Sequence, residues 1–207
     1  MINSENGICN LALSELGSSI TVENIRNPRK PVEAIFSTRY DNSRRYSLKL
    51  MKPSFAIKRL VITPMVTTIV TDGFTYAYRI PSDSVGVLGI GTIQDRLNNY
   101  TIEGNILYTD EYSETGITLR YVKDETDVTK YSPEFIRIFS LILAKDVCMQ
   151  VLQSNEKLVY LDQRLTTEMS CSASMNSQEN RPIKINRSKF EKSKFTKNPS
   201  FEVKLWE

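Results

Sequence analysis

The chain has 207 residues, 40% apolar and 25% charged, a composition that supports one globular domain, with an insertion or a tail, around a real buried core. It contains no histidine, which removes the commonest general base, the commonest zinc ligand and every Ser-His or Cys-His nucleophile pair. The net charge of +3 hides an asymmetry: residues 181–207 carry eight Lys or Arg against three Glu, a net of +5, while the first 180 residues carry 19 against 21.

From the N-terminus, Asn3 or Ser4 is placed to cap a first helix whose apolar positions Ile8, Leu11, Ala12 and Leu16 follow the helical period, with Gly17 ending it. Met1 to Asn10 has neither a basic start nor an apolar run, so no signal peptide is expected there, and no apolar run reaches transmembrane length. Ile20 to Lys30 reads as a loop around Asn27-Pro28. Pro31 opens a second helix to about Met51, with Val32, Ile35, Phe36, Tyr40 and Leu48 toward the core and Arg39, Arg44, Arg45 and Lys49 toward solvent or a partner. Pro53 breaks that pattern, and Phe55 to Leu60 reads as one more short helical turn.

The middle of the chain changes period. Phe74, Tyr76, Tyr78 and Ile80 alternate with Thr75, Ala77 and Arg79, a half-buried strand that stops at Pro81. Val85 to Ile93 reads as another, and Tyr100–Glu103 with Asn105–Thr109 as a tight hairpin around Gly104. Ile117, Leu119 and Tyr121 alternate again, while Val61 to Val70 is a weaker strand because of Pro64. Four or five mainly antiparallel strands between helical segments make the class α+β: a helical bundle with an inserted antiparallel β region and an extended C-terminal arm. Helices are expected within 3–60 and 132–175, the β region at 61–123, the domain over 1–180 and the arm over 181–207.

Ser132 to Gln153 is the most apolar segment. Ser132, Pro133 and Glu134 form a strong helix start. From Phe135 to Leu152 thirteen of eighteen residues are apolar, and Arg137, Ser140, Lys145, Asp146 and Gln150 do not collect on one face. A helix of this kind is contacted from several directions. A further helix starts at Ser154 or Asn155, with a narrow stripe of Leu158, Leu161, Leu165, Met169 and Ala173, and packs antiparallel to its predecessor. In the arm, Ile183, Ile185, Phe190, Phe195, Phe201 and Trp206 are spaced among Arg187, Lys189, Lys192 and Lys194. Such a segment cannot bury these side chains alone, and docking on a protein partner is favoured over direct contact with nucleic acid.

Other candidate chemistry is weak. Gly89-Ile90-Gly91 lacks the third glycine and the helix start of a phosphate loop and reads as a strand bulge. Asp124, Glu125 and Asp127, like Asp110, Glu111 and Glu114, read as solvated turns rather than cation sites. Asn99 and Asn186 match the glycosylation pattern with nothing to indicate secretion. Cys9, Cys148 and Cys171 are odd in number and widely spaced, as free thiols would be. No cofactor, metal or enzymatic activity is expected.

In their order, four stretches make the chain resemble the head-to-tail adaptor family of short-tailed bacteriophages, also called tail tubular protein A. They are ICNLALSELGSSITVENI; Ala34 to Arg59, with Tyr40, Arg44 and Leu48 leading into KPSFAIKRL; YAYRIPSDSVGVLGI; and LRYVKDETDVTKYSPEFIRIFSLILAKDVC, with its Tyr-x-x-Asp and aromatic-x-Pro-x-Phe patterns. Lys52-Pro53-Ser54-Phe55 departs from the His-Pro-Trp-like step of many relatives, and the tail beyond Asn180 follows no family pattern. The resemblance implies a ring of adaptor subunits, usually twelve, between the portal protein and the tail nozzle or later tail proteins. Viral DNA would pass through its lumen, with no membrane and no catalysis involved. Arg39, Arg44, Arg45, Arg137, Lys145 and Asp146 are the expected interface or channel residues, and the arm the expected dock. A different tail component, such as a stopper or nozzle protein, and a nucleic-acid-binding module using the basic arm remain the alternatives.

Overall fold

The computed structural model describes residues 4–65, 73–91 and 100–179, with 174–179 described by backbone only. Helix α1 (Glu5–Leu16) begins at Ser4, whose Oγ accepts the Gly7 N–H at 3.1 Å, and ends at Gly17 in the left-handed region at φ +77°. Its buried stripe is Ile8, Cys9, Ala12, Leu13 and Leu16, with Leu11 only half-buried. Helix α2 (Pro31–Met51) buries Phe36, Tyr40 and Leu48, and ends at Lys52 in the left-handed region at φ +49°.

The next residues correct the sequence reading. Only Ser54–Ala56 form a 3-10 turn, and strand β1 (Ile57–Ile62) occupies most of the segment expected to be helical. Pro53 prevents continuation of α2, and the aliphatic run that follows finds a ladder partner in β6 (Ile117–Lys123), with Ile57 opposite Val122 and Ile62 opposite Ile117. The β region therefore starts at 57, not 61. Over Val61 to Val70 a weaker strand, at an edge or broken at Pro64, was expected; β1 is an outer strand that ends at Ile62, Pro64 makes an isolated bridge, and residues 66–72 lie outside the described ones.

Six strands are present among the described residues, in two antiparallel three-stranded sheets. The first has the order β1–β6–β3, with β3 spanning Ser84–Ile90. The second has the order β2–β5–β4, formed by Tyr76–Arg79, Ile106–Thr109 and Tyr100–Glu103. After β1 the chain crosses between sheets: Pro64 bridges Tyr78, and the Met65 N–H donates to the Ala77 carbonyl at 2.8 Å. The Gly89-containing stretch is a bulge, since the β3–β6 register shifts between Val87 and Gly89. The hairpin around Gly104 forms as expected, with Glu103 opposite Ile106.

Helix α3 (Pro133–Val151) is capped by the Ser132 Oγ and buries ten residues, among them Phe135, Phe139, Leu141, Leu143 and Val147. It packs on α1 and α2, and α4 (Asn155–Glu179) joins the same core through Leu161 and Leu165. The chain divides into two units, Met1–Ser170 and a second beginning at Cys171. The first holds two cores. One lies among the helices; the other, between the sheets, contains Ile62, Tyr78, Ile80, Ile90, Leu107, Ile117, Leu119 and Tyr121. Strand β6 serves both, because Leu119 and Tyr121 face the sheet core while Val122 faces the helices. No helix among the described residues is long and apolar enough to cross a membrane.

Phe139 and Leu143 are both fully buried. Replacing either by Ala lowers stability by about 2–5 kcal/mol, read as a shift of the urea midpoint with an unchanged slope. Gly116 sits at φ +92°, and a Cβ there would come within 2.6 Å of the Ile62 carbonyl oxygen. Gly116→Ala is therefore destabilising, by about 1–3 kcal/mol from the backbone conformation alone, in the same measurement.

Candidate functional site

The β region leaves the helical bundle after Lys52 and returns at Asp124, and a chain of charges spans this junction. Arg44 is 4% exposed, and its guanidinium lies 2.9 Å from the Asp124 carboxylate and 3.4 Å from that of Asp41. A buried guanidinium is costly without such partners. Arg45, half-exposed, takes the other Asp124 oxygen at 3.1 Å. Asp41 also accepts from Arg26, which holds the Asp41 carboxyl below its ordinary value, and Arg26 in turn grips Glu5 of α1. One network thus connects α1, the first loop, α2 and the returning turn.

The turn itself is tied from the other side. The Asp124 N–H donates to the Asp83 carbonyl at 2.7 Å, and the Tyr121 hydroxyl donates to the Asp83 carboxylate at 3.2 Å. The Tyr131 hydroxyl donates to the Glu125 carbonyl at 2.8 Å. Glu125 is 5% exposed rather than solvated as its acidic neighbours implied. Burial raises its carboxyl, and the Asp127 N–H, Lys130 and Lys123 more than offset this, leaving it below its ordinary value. Beneath the turn the aromatic rings form a run: Tyr131 and Phe135 both lie against Phe55, Phe135 meets Phe139, and Phe139 meets Tyr40. Among the described residues no cluster of His, Cys, Asp and Glu is arranged to hold a metal.

The residues expected at interfaces have identifiable places. Arg44 is internal, Arg45 sits at the rim of the junction, and Arg39 is exposed on α2. Arg137 pairs with Glu168, and Lys145 with Asp162, joining α3 to α4. The Ser43 hydroxyl of α2 donates to the Asp146 carboxylate. Ser140 donates back to the Arg137 carbonyl within its own helix. The scattered polar residues of α3 are thus mostly consumed at the borders where other helices meet it. Ile183, Ile185, Arg187, Lys189, Phe190, Lys192, Lys194, Phe195, Phe201 and Trp206 of the arm lie outside the described residues, as do Asn99 and Asn186. Cys9 and Cys148 are buried free thiols, the first pushed up to about 12 by burial, and Cys171 is exposed.

Two features escaped the sequence reading. Glu33 is 2% exposed, and its carboxylate accepts the backbone N–H groups of Glu23, Arg29 and Lys30, organising the first loop. Its place three residues after the residue preceding Pro31 is the signal for such a capping carboxylate. The second is a cleft of about 770 Å³ between the C-terminal half of α2, β3 and the β4–β5 turn, lined by Tyr46, Leu50, Val87 and Ile102 with Lys49 and Lys52 among the other lining groups. Its lining holds no carboxylate and no thiol; its polar side chains are those of Tyr46, Lys49, Lys52, Ser84 and Asn105.

Comparison with known protein families finds no family model that matches this chain, and comparison with curated proteins likewise finds no match.

The Glu33 carboxyl is held down to about 2 by the Glu23 and Arg29 N–H groups, against an ordinary value of 4.5. Because the folded value is the lower one, its stabilisation is complete above about pH 5 and is lost as pH falls toward 2. In an acid titration of stability, Glu33→Gln flattens the loss across that window relative to the parent protein. Arg44→Met strands Asp124 and Asp41 with fewer partners and costs about 3 kcal/mol in urea unfolding, whereas Arg39→Met changes stability by less than about 0.5 kcal/mol.

Proposed function

We propose that this protein is a head-to-tail adaptor of a short-tailed bacteriophage, a structural ring subunit joining the portal to the tail and forming part of the path for DNA ejection. The observation that carries this reading is where the family-like residues fall. They come from stretches far apart in sequence, yet they touch: Arg44 pairs with Asp124, Tyr121 with Asp83, Phe55 with Tyr131 and Phe135, and Tyr40 with Phe139. Residues of three of the four family-like stretches thus meet at one junction.

The architecture supports the same reading. A helical bundle interrupted by a β insertion gives a subunit two separate bodies of surface, and a ring needs different surfaces on its two sides. In this reading the helices form the ring wall, and the β region projects toward the distal tail. The basic, apolar arm over 181–207 clamps the portal or an adjacent subunit. The virion is its place of work, after assembly in the host cytoplasm. The +5 charge of the arm with its spaced aromatic residues also favours a second reading, direct binding of nucleic acid.

Imaging of the purified chain with and without a portal protein separates these. The adaptor reading expects a ring with a central hole, usually of twelve subunits, once portal is added, and loss of portal binding when the chain is truncated at Asn180. A chain that stays monomeric with portal overturns it. Under the nucleic-acid reading, DNA binding falls steeply with salt and disappears on replacing Lys189, Lys192 and Lys194, with assembly unaffected.

A further inference from the structure

Among the described residues, two strand edges of the β region have no strand beside them. Strand β3 is an outer strand of its sheet, but it lies against α2 and is broken by bulges. The outer side of β2 is bridged by Pro64 and Met65. That leaves β1, outermost in β1–β6–β3, and β4, outermost in β2–β5–β4, with no strand beside them among the described residues.

These two edges are chemically unlike. Strand β1 runs in unbroken register with β6, without the proline or bulge that blunts a solvent-facing edge. Four consecutive residues, Lys58 to Val61, are exposed, Leu60 by 46% and Val61 by 56%. Strand β4 exposes Ile102 by 43% and, beside it, Glu103. One edge is therefore apolar and cationic, the other apolar and anionic.

We infer that β1 of one copy of this chain pairs antiparallel with β4 of a second copy, placing Leu60 opposite Ile102 and Arg59 opposite Glu103. The faces agree. Leu60 shares its side of the sheet with Ile62, which enters the sheet core, and Ile102 shares its side with Tyr100, which packs on that core. This register sets Ile62 opposite Tyr100, so the apolar pairs stay on one face and the ion pair on the other. A parallel arrangement that keeps Leu60 opposite Ile102 moves Arg59 to Thr101 and loses the ion pair. Two β1 strands together would crowd four cations into one short ladder, and two β4 strands would bring two carboxylates together.

The pairing is heterologous, since each copy contributes one edge and keeps the other free for the next copy. It deepens the ring reading proposed above and rests on it for closure; the pairing itself stands on the edges alone. Four residue pairs fall well short of the roughly 1,600 Å² of a stable interface, so other surfaces complete the contact.

The test uses full-length chains carrying Cys171→Ser, which removes the exposed native thiol. Arg59→Cys and Glu103→Cys proteins are oxidised separately and as an equimolar mixture, alone at high concentration and with portal. Cross-strand thiols close readily at only one kind of ladder site, so the mixture is repeated with Leu60→Cys and Ile102→Cys. A covalent dimer confined to one or both mixtures is the expected result. Charge exchange provides the second reading: Arg59→Glu or Glu103→Arg alone weakens self-association severalfold, and the two together restore it. These positions are exposed, and the variants should unfold with the parent's midpoint, which excludes misfolding as the cause. Assemblies that form with no mixed dimer in either pair, or dimers of Arg59→Cys alone, overturn the edge pairing and leave the ring reading standing. Mixed dimers with no recruitment to portal uphold the pairing and sink the adaptor reading. A chain monomeric under every condition overturns both.

Discussion

The Arg44–Asp124 ion pair ties the neck at which the β region joins the helical bundle, beside the packing of β3 on α2 and of Val122 in the helical core. The β region is an insertion, so the chain leaves the bundle after Lys52 and comes back at Asp124. Arg44 holds the returning strand to α2 from inside, while Asp83 holds the same turn from the β side. A buried guanidinium beside two carboxylates supplies attachment through charge, since that charge would be costly at this depth without its partners. Hydrophobic packing of Phe55, Tyr131 and Phe135 beneath it supplies area without direction. The neck thus combines apolar packing with a buried ion pair.

Much of this was legible in the sequence, and for identifiable reasons. The helix starts at Ser4 and Ser132 and the stop at Gly17 follow from local capping chemistry, which needs no knowledge of the fold. The antiparallel β region between helical segments, and therefore the α+β class, followed from the change of hydrophobic period after residue 60. The failure at Phe55–Leu60 has an equally local cause. KPSFAIKRL contains good helix formers, and only the ladder with Ile117–Val122, some sixty residues away, decides for strand. Periodicity carries no information about that partner.

The polar residues of α3 show the same limit from the other direction. Their scatter around the helix signalled contacts on several sides, and contacts on several sides are present. What the spacing could not convey is that Arg137, Lys145 and Asp146 are answered by Glu168, Asp162 and Ser43 of the same chain. A charge on a mostly apolar helix announces a border without saying whether the neighbour is another helix or another subunit. Glu33 was overlooked for a different reason: its N3 spacing after Lys30 signals a cap, but nothing in the spacing shows that the same carboxylate also takes the Glu23 and Arg29 N–H groups of the first loop.

The insertion also governs the order in which this chain is able to fold. Ser43 and Asp146 are 103 residues apart, and α3 meets α1 and α2 only after the whole β region has been drawn in. Closing a loop of that size is entropically tolerable, since each doubling of length adds only about 0.6 kcal/mol, but it is slow. The β4–β5 hairpin is local and forms early; the β1–β6 ladder, which joins the insertion's two ends, is not local and shortens the remaining loop when it forms. Once β1 and β6 are zipped, Lys52 and Asp124 are already neighbours, and the helices on either side meet as though they were consecutive. The β1–β6 ladder joins the two ends of the insertion, so its formation shortens the loop left to close between α2 and α3.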